Sequence, residues 1–155
     1  MSLWRLLLAV GLCCGVLLAQ VRKQPLNPKG LAEPRGYTHV VTVEGGGKMI
    51  FISGQVAYNA NREVVGKGDL RAQATQAYEN LKIALTAAGA TFADVVKMNT
   101  YVVNYKSDSL PILREAREKF LGTKNPPAST LIGVQALASD DFLIEIEAVA
   151  VLPKT

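Results

Sequence analysis

The chain has 155 residues, 49% hydrophobic and 19% charged, with a net charge of +4, one histidine and two cysteines. That length accommodates one domain with an adequate core and argues against a second. The charge is mild and scattered, which gives no indication of nucleic acid as a partner, and a single histidine excludes a histidine-rich metal centre.

The first segment, MSLWRLLLAVGLCCGVLLAQ, carries lone Arg5 ahead of the uncharged run from Leu6 to Ala19. A basic start and an apolar run shorter than a bilayer span predict a signal peptide over 1–19, cut after Ala19, and hence a periplasmic or extracellular chain. An uncleaved membrane anchor and a lipid on Cys13 or Cys14 are the competing readings. Cleavage removes both cysteines, so the mature chain is expected to have no membrane span, disulfide, thiol nucleophile or thiolate metal site. Residues 20–36 are rich in proline and glycine and predict a linker or extended arm.

A domain over 37–155 follows. Tyr37 to Glu44 and Lys48 to Ser53 read as strands, and the intervening Gly45-Gly46-Gly47 predicts a hairpin between them. Leu70, Ala74, Ala77, Leu81, Leu85 and Ala88 recur at spacings of three or four, which predicts an amphipathic helix over 69–90 with Gly89 at its C-terminal end. Residues 94–103 are β-branched and aromatic and read as a strand. A second helix is expected, capped by Ser107–Ser109 and ending at Gly122, with Pro111 in its first turn and Leu113, Ala116 and Phe120 inward. Ser129 to Leu137 and Phe142 to Leu152 read as the last strands.

The order β-β-(β)-α-β-α-β-β predicts an α+β fold, with two helices on one face of a mixed or antiparallel sheet. In the last strand Ile144, Ile146, Ala148 and Ala150 share one face, whereas Glu145, Glu147, Val149 and Val151 share the other. A partner strand adds either Val95, Lys97, Asn99 and Tyr101 or Val96, Met98, Thr100 and Val102 to that second face. A partly apolar, partly acidic outer face predicts a homo-oligomer that covers it. His39, two residues beyond Tyr37 on the same strand face, reads as a strand-surface histidine, and Tyr101 as packing within the covered layer.

GYTHVV, MIFISGQV, ADVVKMNTYV, PPAST and IEIEAVAV, in this order, resemble the reactive-intermediate deaminase (RidA/YjgF) family, also known by endoribonuclease and translation-inhibitor names. The resemblance runs from Tyr37 to Leu152. It implies a chorismate-mutase-like fold, a homotrimeric barrel with small-molecule clefts between subunits, and no metal or cofactor. It also implies hydrolysis of 2-imino acids or their enamine tautomers to 2-keto acids and ammonia, as 2-iminobutanoate/2-iminopropanoate deaminases do. Carried over by residue, Tyr37 resembles the family's cleft tyrosine, Ser53 and Gly54 the pair whose backbone lines the ligand, and Glu145 the group that positions or activates water. Glu147 matches a second family glutamate, read here as a satisfied polar group.

One position departs from the pattern. The family arginine that grips the substrate carboxylate follows Pro-Ala, and here Pro127-Ala128 is followed by Ser129. Leu131 stands where cysteine is frequent. A hydroxyl offers a neutral hydrogen bond in place of a bidentate ion pair, about ten-fold or more weaker as an anchor. Ser129 is thus a substrate-binding residue of altered preference; Lys97 reads as a satisfied surface or interface lysine, and as the replacement cation only if its strand turns it into the cleft. Three readings follow: an exported imine hydrolase acting on a neutral or differently anchored substrate, a non-catalytic trimeric small-molecule-binding module of the cell envelope, and a ribonuclease. The last has little support in a chain with no basic-aromatic stripe.

Overall fold

A computed structural model describes residues 21–154, so the expected signal peptide lies outside the described residues. Six strands and two α-helices follow in the order β1 (Arg22–Leu26), β2 (Val40–Glu44), β3 (Gly47–Gln55), α1 (Leu70–Ala87), β4 (Val95–Val103), α2 (Leu110–Leu121), β5 (Ala128–Val134) and β6 (Ile144–Pro153). β3, β6, β4 and β5 form a four-stranded sheet in that spatial order. β6 is antiparallel to both neighbours and β4 runs parallel to β5, so the sheet is mixed.

Both helices form where the periodicity places them. Asp69 caps α1, its carboxylate accepting from the Arg71 and Ala72 amides, and Gly89 takes φ +80° just past the helix end. α2 starts with Pro111 in its first turn and ends at Gly122, φ +67°. Ser107–Ser109 form a 3-10 turn ahead of it, and Ser109 makes no side-chain cap bond. The expected capping by these serines is therefore absent. The helices lie on one face of the sheet, where Leu81, Leu85, Met98, Val102, Ile144 and Ile146 are almost wholly buried. Gln73 is also buried; its side-chain amide bonds the Gly66 and Asp141 carbonyls and accepts from the Leu143 amide, tying α1 to the entry of β6.

Three expectations are corrected. The triple glycine does not close a hairpin: β2 pairs with β1 in a separate two-stranded sheet, whereas β3 pairs with β6. Gly45 and Gly46 both have positive φ and swing the chain from one sheet to the other. The 20–36 arm supplies that partner strand β1, so it is extended and paired. The third strand before α1 is therefore at the N-terminal side, and residues between β3 and α1 contribute only an isolated bridge, Tyr58 to Val64. In β4 an irregularity between Val95 and Lys97 turns Val95 into the core. Beyond it the faces alternate, with Lys97, Asn99 and Tyr101 outward and Met98, Thr100 and Val102 toward the helices.

Candidate functional site

On the outer face, β6 presents Glu145 and Glu147 opposite Tyr101 and Asn99 of β4. Glu147 accepts from Asn99 Nδ2 at 2.7 Å and from the Tyr101 hydroxyl at 2.9 Å. These bonds, Asn99's first and Tyr101's second, favour the charged form and hold the Glu147 carboxyl below its ordinary value. Donation to Glu147 in turn pushes the Tyr101 phenol upward. Glu147 is a bonded, stably ionised carboxylate, and Tyr101 is its donor.

Glu145 stands differently. Among the described residues its carboxylate accepts no hydrogen bond. It lies instead against the Cα of Gly54, where an added Cβ would fall 1.6 Å from its Oε1. The β3–β6 register slips between Ile52 and Gln55, so Ser53 and Gly54 form a bulge beside this carboxylate. The sequence requires glycine here because only a residue without Cβ lets the side chain from the next strand lie on the backbone. Ser53 lines a recess of about 320 Å³ with Phe51, Lys97, Asn99 and Glu147. Glu147 lines this recess and Glu145 does not.

Tyr37 and Ser129 lie elsewhere. The Thr38 amide donates to the Pro127 carbonyl at 3.2 Å, its hydroxyl donates to the Pro126 carbonyl at 2.6 Å, and Thr38 bridges Ala128. Tyr37 is thereby held beside the start of β5, at the free edge of the sheet. Its ring meets that of His39 edge-on at 5.2 Å, and His39 Nε2 is 2.8 Å from the Ala32 carbonyl. Ser129 pairs in register with Met98, whose side chain is in the core, and so faces the helices. It lines a small cavity of about 50 Å³ with Thr100, Tyr78, Leu131, Arg114 and Arg117.

In one protomer the five candidate residues therefore fall into two groups. Ser53, Gly54 and Glu145 sit at the outer face, whereas Tyr37 and Ser129 sit at the β5 edge, with Ser129 on the opposite face. Lys97 does not replace the missing cation beside Ser129; it points outward and donates to the Thr130 hydroxyl. Arg114 and Arg117, three residues apart on one flank of α2, were not singled out by the sequence reading. Their spacing was visible, but the register of α2 against β5 was not. Among the described residues no cluster of three or more His, Cys, Asp or Glu side chains is arranged to hold a metal ion, and no helix is long and apolar enough to cross a membrane.

The profile of the family described as endoribonuclease L-PSP matches residues 30–152. The chain belongs to this family, the Rid proteins. Among solved structures, the Rid-family chain is similar to YyfB of Yersinia pestis, described as a conserved Rid-family protein of unknown function. The two share 45% identity and a TM-score of 0.78, over 84% of this chain and 98% of that one. RidA of the Antarctic bacterium Psychrobacter sp. is 28% identical with a TM-score of 0.61, over 84% of this chain and all (100%) of that one. Among curated relatives, a 2-iminobutanoate/2-iminopropanoate deaminase of Dermatophagoides farinae is 28% identical over 137 residues, 88% of this chain and 95% of that protein. The α+β fold expected for this Rid-family chain, with two helices on a mixed sheet, is the one observed.

Proposed function

We propose that this chain hydrolyses an imine or enamine to a carbonyl compound and ammonia, with Glu145 as the group that activates water. The carrying observation is the setting of Glu145: a carboxylate pressed into the Ser53–Gly54 bulge and, among the described residues, free of hydrogen bonds, two residues from a carboxylate whose Oε1 is held by both Asn99 and Tyr101. An engaged carboxylate is a poor proton acceptor; a free one held against a backbone bulge suits general-base work. Glu145 takes a proton from water as the oxygen bonds to the C=N carbon and returns it to the nitrogen, leaving a neutral carbinolamine. The adduct's hydroxyl proton then passes to the nitrogen through Glu145, and the C–N bond breaks to release ammonia as the carbonyl forms. The family and the deaminase names of two relatives support this class of reaction.

Completion of the cleft falls to a second copy, in a homotrimer. Tyr37 and Ser129 of one protomer are out of reach of its own Glu145, and the outer face leaves Met49 and Phe51 59% and 74% exposed. Ser129 in place of an arginine supports a substrate anchored otherwise than in an ordinary 2-imino-acid deaminase. The uncharged run before Gln20 supports export of the chain. The test is ammonia release by the purified protein from freshly generated imines with and without a carboxylate. Release from either class supports the hydrolase. Release from neither, with a small metabolite held unchanged, would leave the binding-module reading.

A further inference from the structure

The arm strands are tied to the domain at separate points. The Lys23 ammonium donates to the Ala93 carbonyl, and Thr38 is bonded to Pro126 and Pro127. A cavity of about 440 Å³, larger than the outer-face recess, takes in both ties: Lys23, Ala93, Pro126 and Pro127 all line it. Pro25 and Val41 face it from the arm, and Phe92 of the 3-10 turn Phe92–Asp94, Val95 of β4 and Phe120 of α2 face it from the domain. Phe120 stacks on the buried Tyr78 ring at 5.3 Å and meets Phe92 at 5.8 Å and 57°, so both rings are fixed against the core. Such a pair suits a further arene, which gains from offset or edge-to-face contact. The polar part of the lining is cationic. Lys23 keeps donors beyond the one given to Ala93, and Lys124 takes part in no ion pair among the described residues. No carboxylate lines the cavity, and Asp94, next to Ala93 in the chain, is committed to the Thr91 amide and hydroxyl.

The geometry points to a binding site for a small aromatic acid in this cavity, its ring against Phe92 and Phe120 and its acid group met by Lys23 and Lys124. The volume is in the range of small-molecule sites, and apolar walls with a few cationic groups select a ligand that is apolar in its body and anionic at one end. None of Tyr37, Ser53, Gly54, Ser129 and Glu145 lines the cavity, so the site does not depend on the hydrolase reading.

The test is calorimetric titration of the full chain with indole-3-acetate and, as the uncharged control, indole-3-acetamide. Wild type is expected to bind the acid, and to bind the amide about ten-fold more weakly. Lys23→Gln and Lys124→Gln, which keep most of the apolar stem, should each weaken the acid about five-fold, and further in the pair, with the amide unchanged. Val41→Trp, which fills the cavity from the arm, should abolish binding of both, whereas Glu145→Gln should leave binding of the acid intact. Failure of wild type to bind the acid, equal affinity for acid and amide, or undiminished binding in a stably folded double lysine variant overturns the site. So does loss of binding in Glu145→Gln, which would put the acid at the outer face. A change in sedimentation with unchanged affinity in Val41→Trp also overturns it, as that would show another copy seated there.

Discussion

The two faces of the central sheet are made by the same residues in alternation, and they have opposite characters. Toward the helices Ile144, Ile146, Ala148 and Ala150 of β6 are at most 3% exposed. Toward the outside Glu147 lines an open recess with Phe51, Lys97 and Asn99, and Glu145 lies on the Gly54 backbone. The helix face is the stabilising layer, with no polar group left unpaired among the buried side chains described. On the proposed reading the outer face carries the chemistry, and it leaves Met49 and Phe51 exposed for another copy. The division is sharp enough that changes on one face should move stability and changes on the other should move activity or assembly.

The largest expected effect tests the outer face directly. Gly54→Ala puts a methyl group where Glu145 Oε1 now lies, and the flexible carboxylate is what must give way. Ammonia release should fall about 100-fold, as a displacement of roughly an ångström costs a positioned catalytic group, while thermal unfolding stays close to wild type. A large loss of stability with unchanged turnover would show that the bulge serves the fold alone. On the other face Leu81→Ala, at a fully buried position, should cost about 2–5 kcal/mol in denaturant unfolding. The residual folded protein should turn over normally, and lost turnover in that folded fraction would break the division of labour.

Smaller effects sharpen it. Phe51→Lys, on the outer face, should leave the unfolding of a protomer nearly unchanged and shift sedimentation toward the monomer. An unaltered trimer would place the interface elsewhere. The smallest concerns the Asn99–Glu147–Tyr101 network. Because Glu147's folded pKa is depressed below its ordinary value, its contribution is present above the unfolded pKa and is lost as pH falls through the folded one. Asn99→Ala removes the larger cause, so the variant should lose a little stability at neutral pH and less in acid. Unfolding curves at pH 7 and in acid will show the gap from wild type closing, and a gap independent of pH would contradict the assignment.

Much of this division could be read from the chain. The three-and-four spacing located α1 and α2, Gly89 and Gly122 marked their ends, and the two-residue alternation in β6 put both glutamates opposite the core. What the sequence did not disclose depends on pairing between distant segments. The arm at 22–26 satisfies β2, so the three glycines redirect the chain instead of closing a hairpin. A slip in β4 sends Val95 inward, and another in β3 creates the Gly54 recess; neither leaves a mark in local composition. The same holds for the site. Tyr37, Ser53, Gly54, Ser129 and Glu145 were singled out by resemblance, yet their separation into two groups, and the approach of Arg114 and Arg117 to Ser129, follow from how α2 and the 36–38 segment dock on β5.

The central claim is that two glutamates on one face of one strand have different work, Glu145 on water and Glu147 in holding its neighbours. The most direct measurement is single-turnover ammonia release from a freshly generated imine by wild type, Glu145→Gln and Glu147→Gln, each checked for assembly. The account predicts about 100-fold or greater loss in Glu145→Gln, with Glu147→Gln within about ten-fold of wild type and more readily unfolded. Equal losses in both, or an active Glu145→Gln beside an inactive, well-assembled Glu147→Gln, would contradict it.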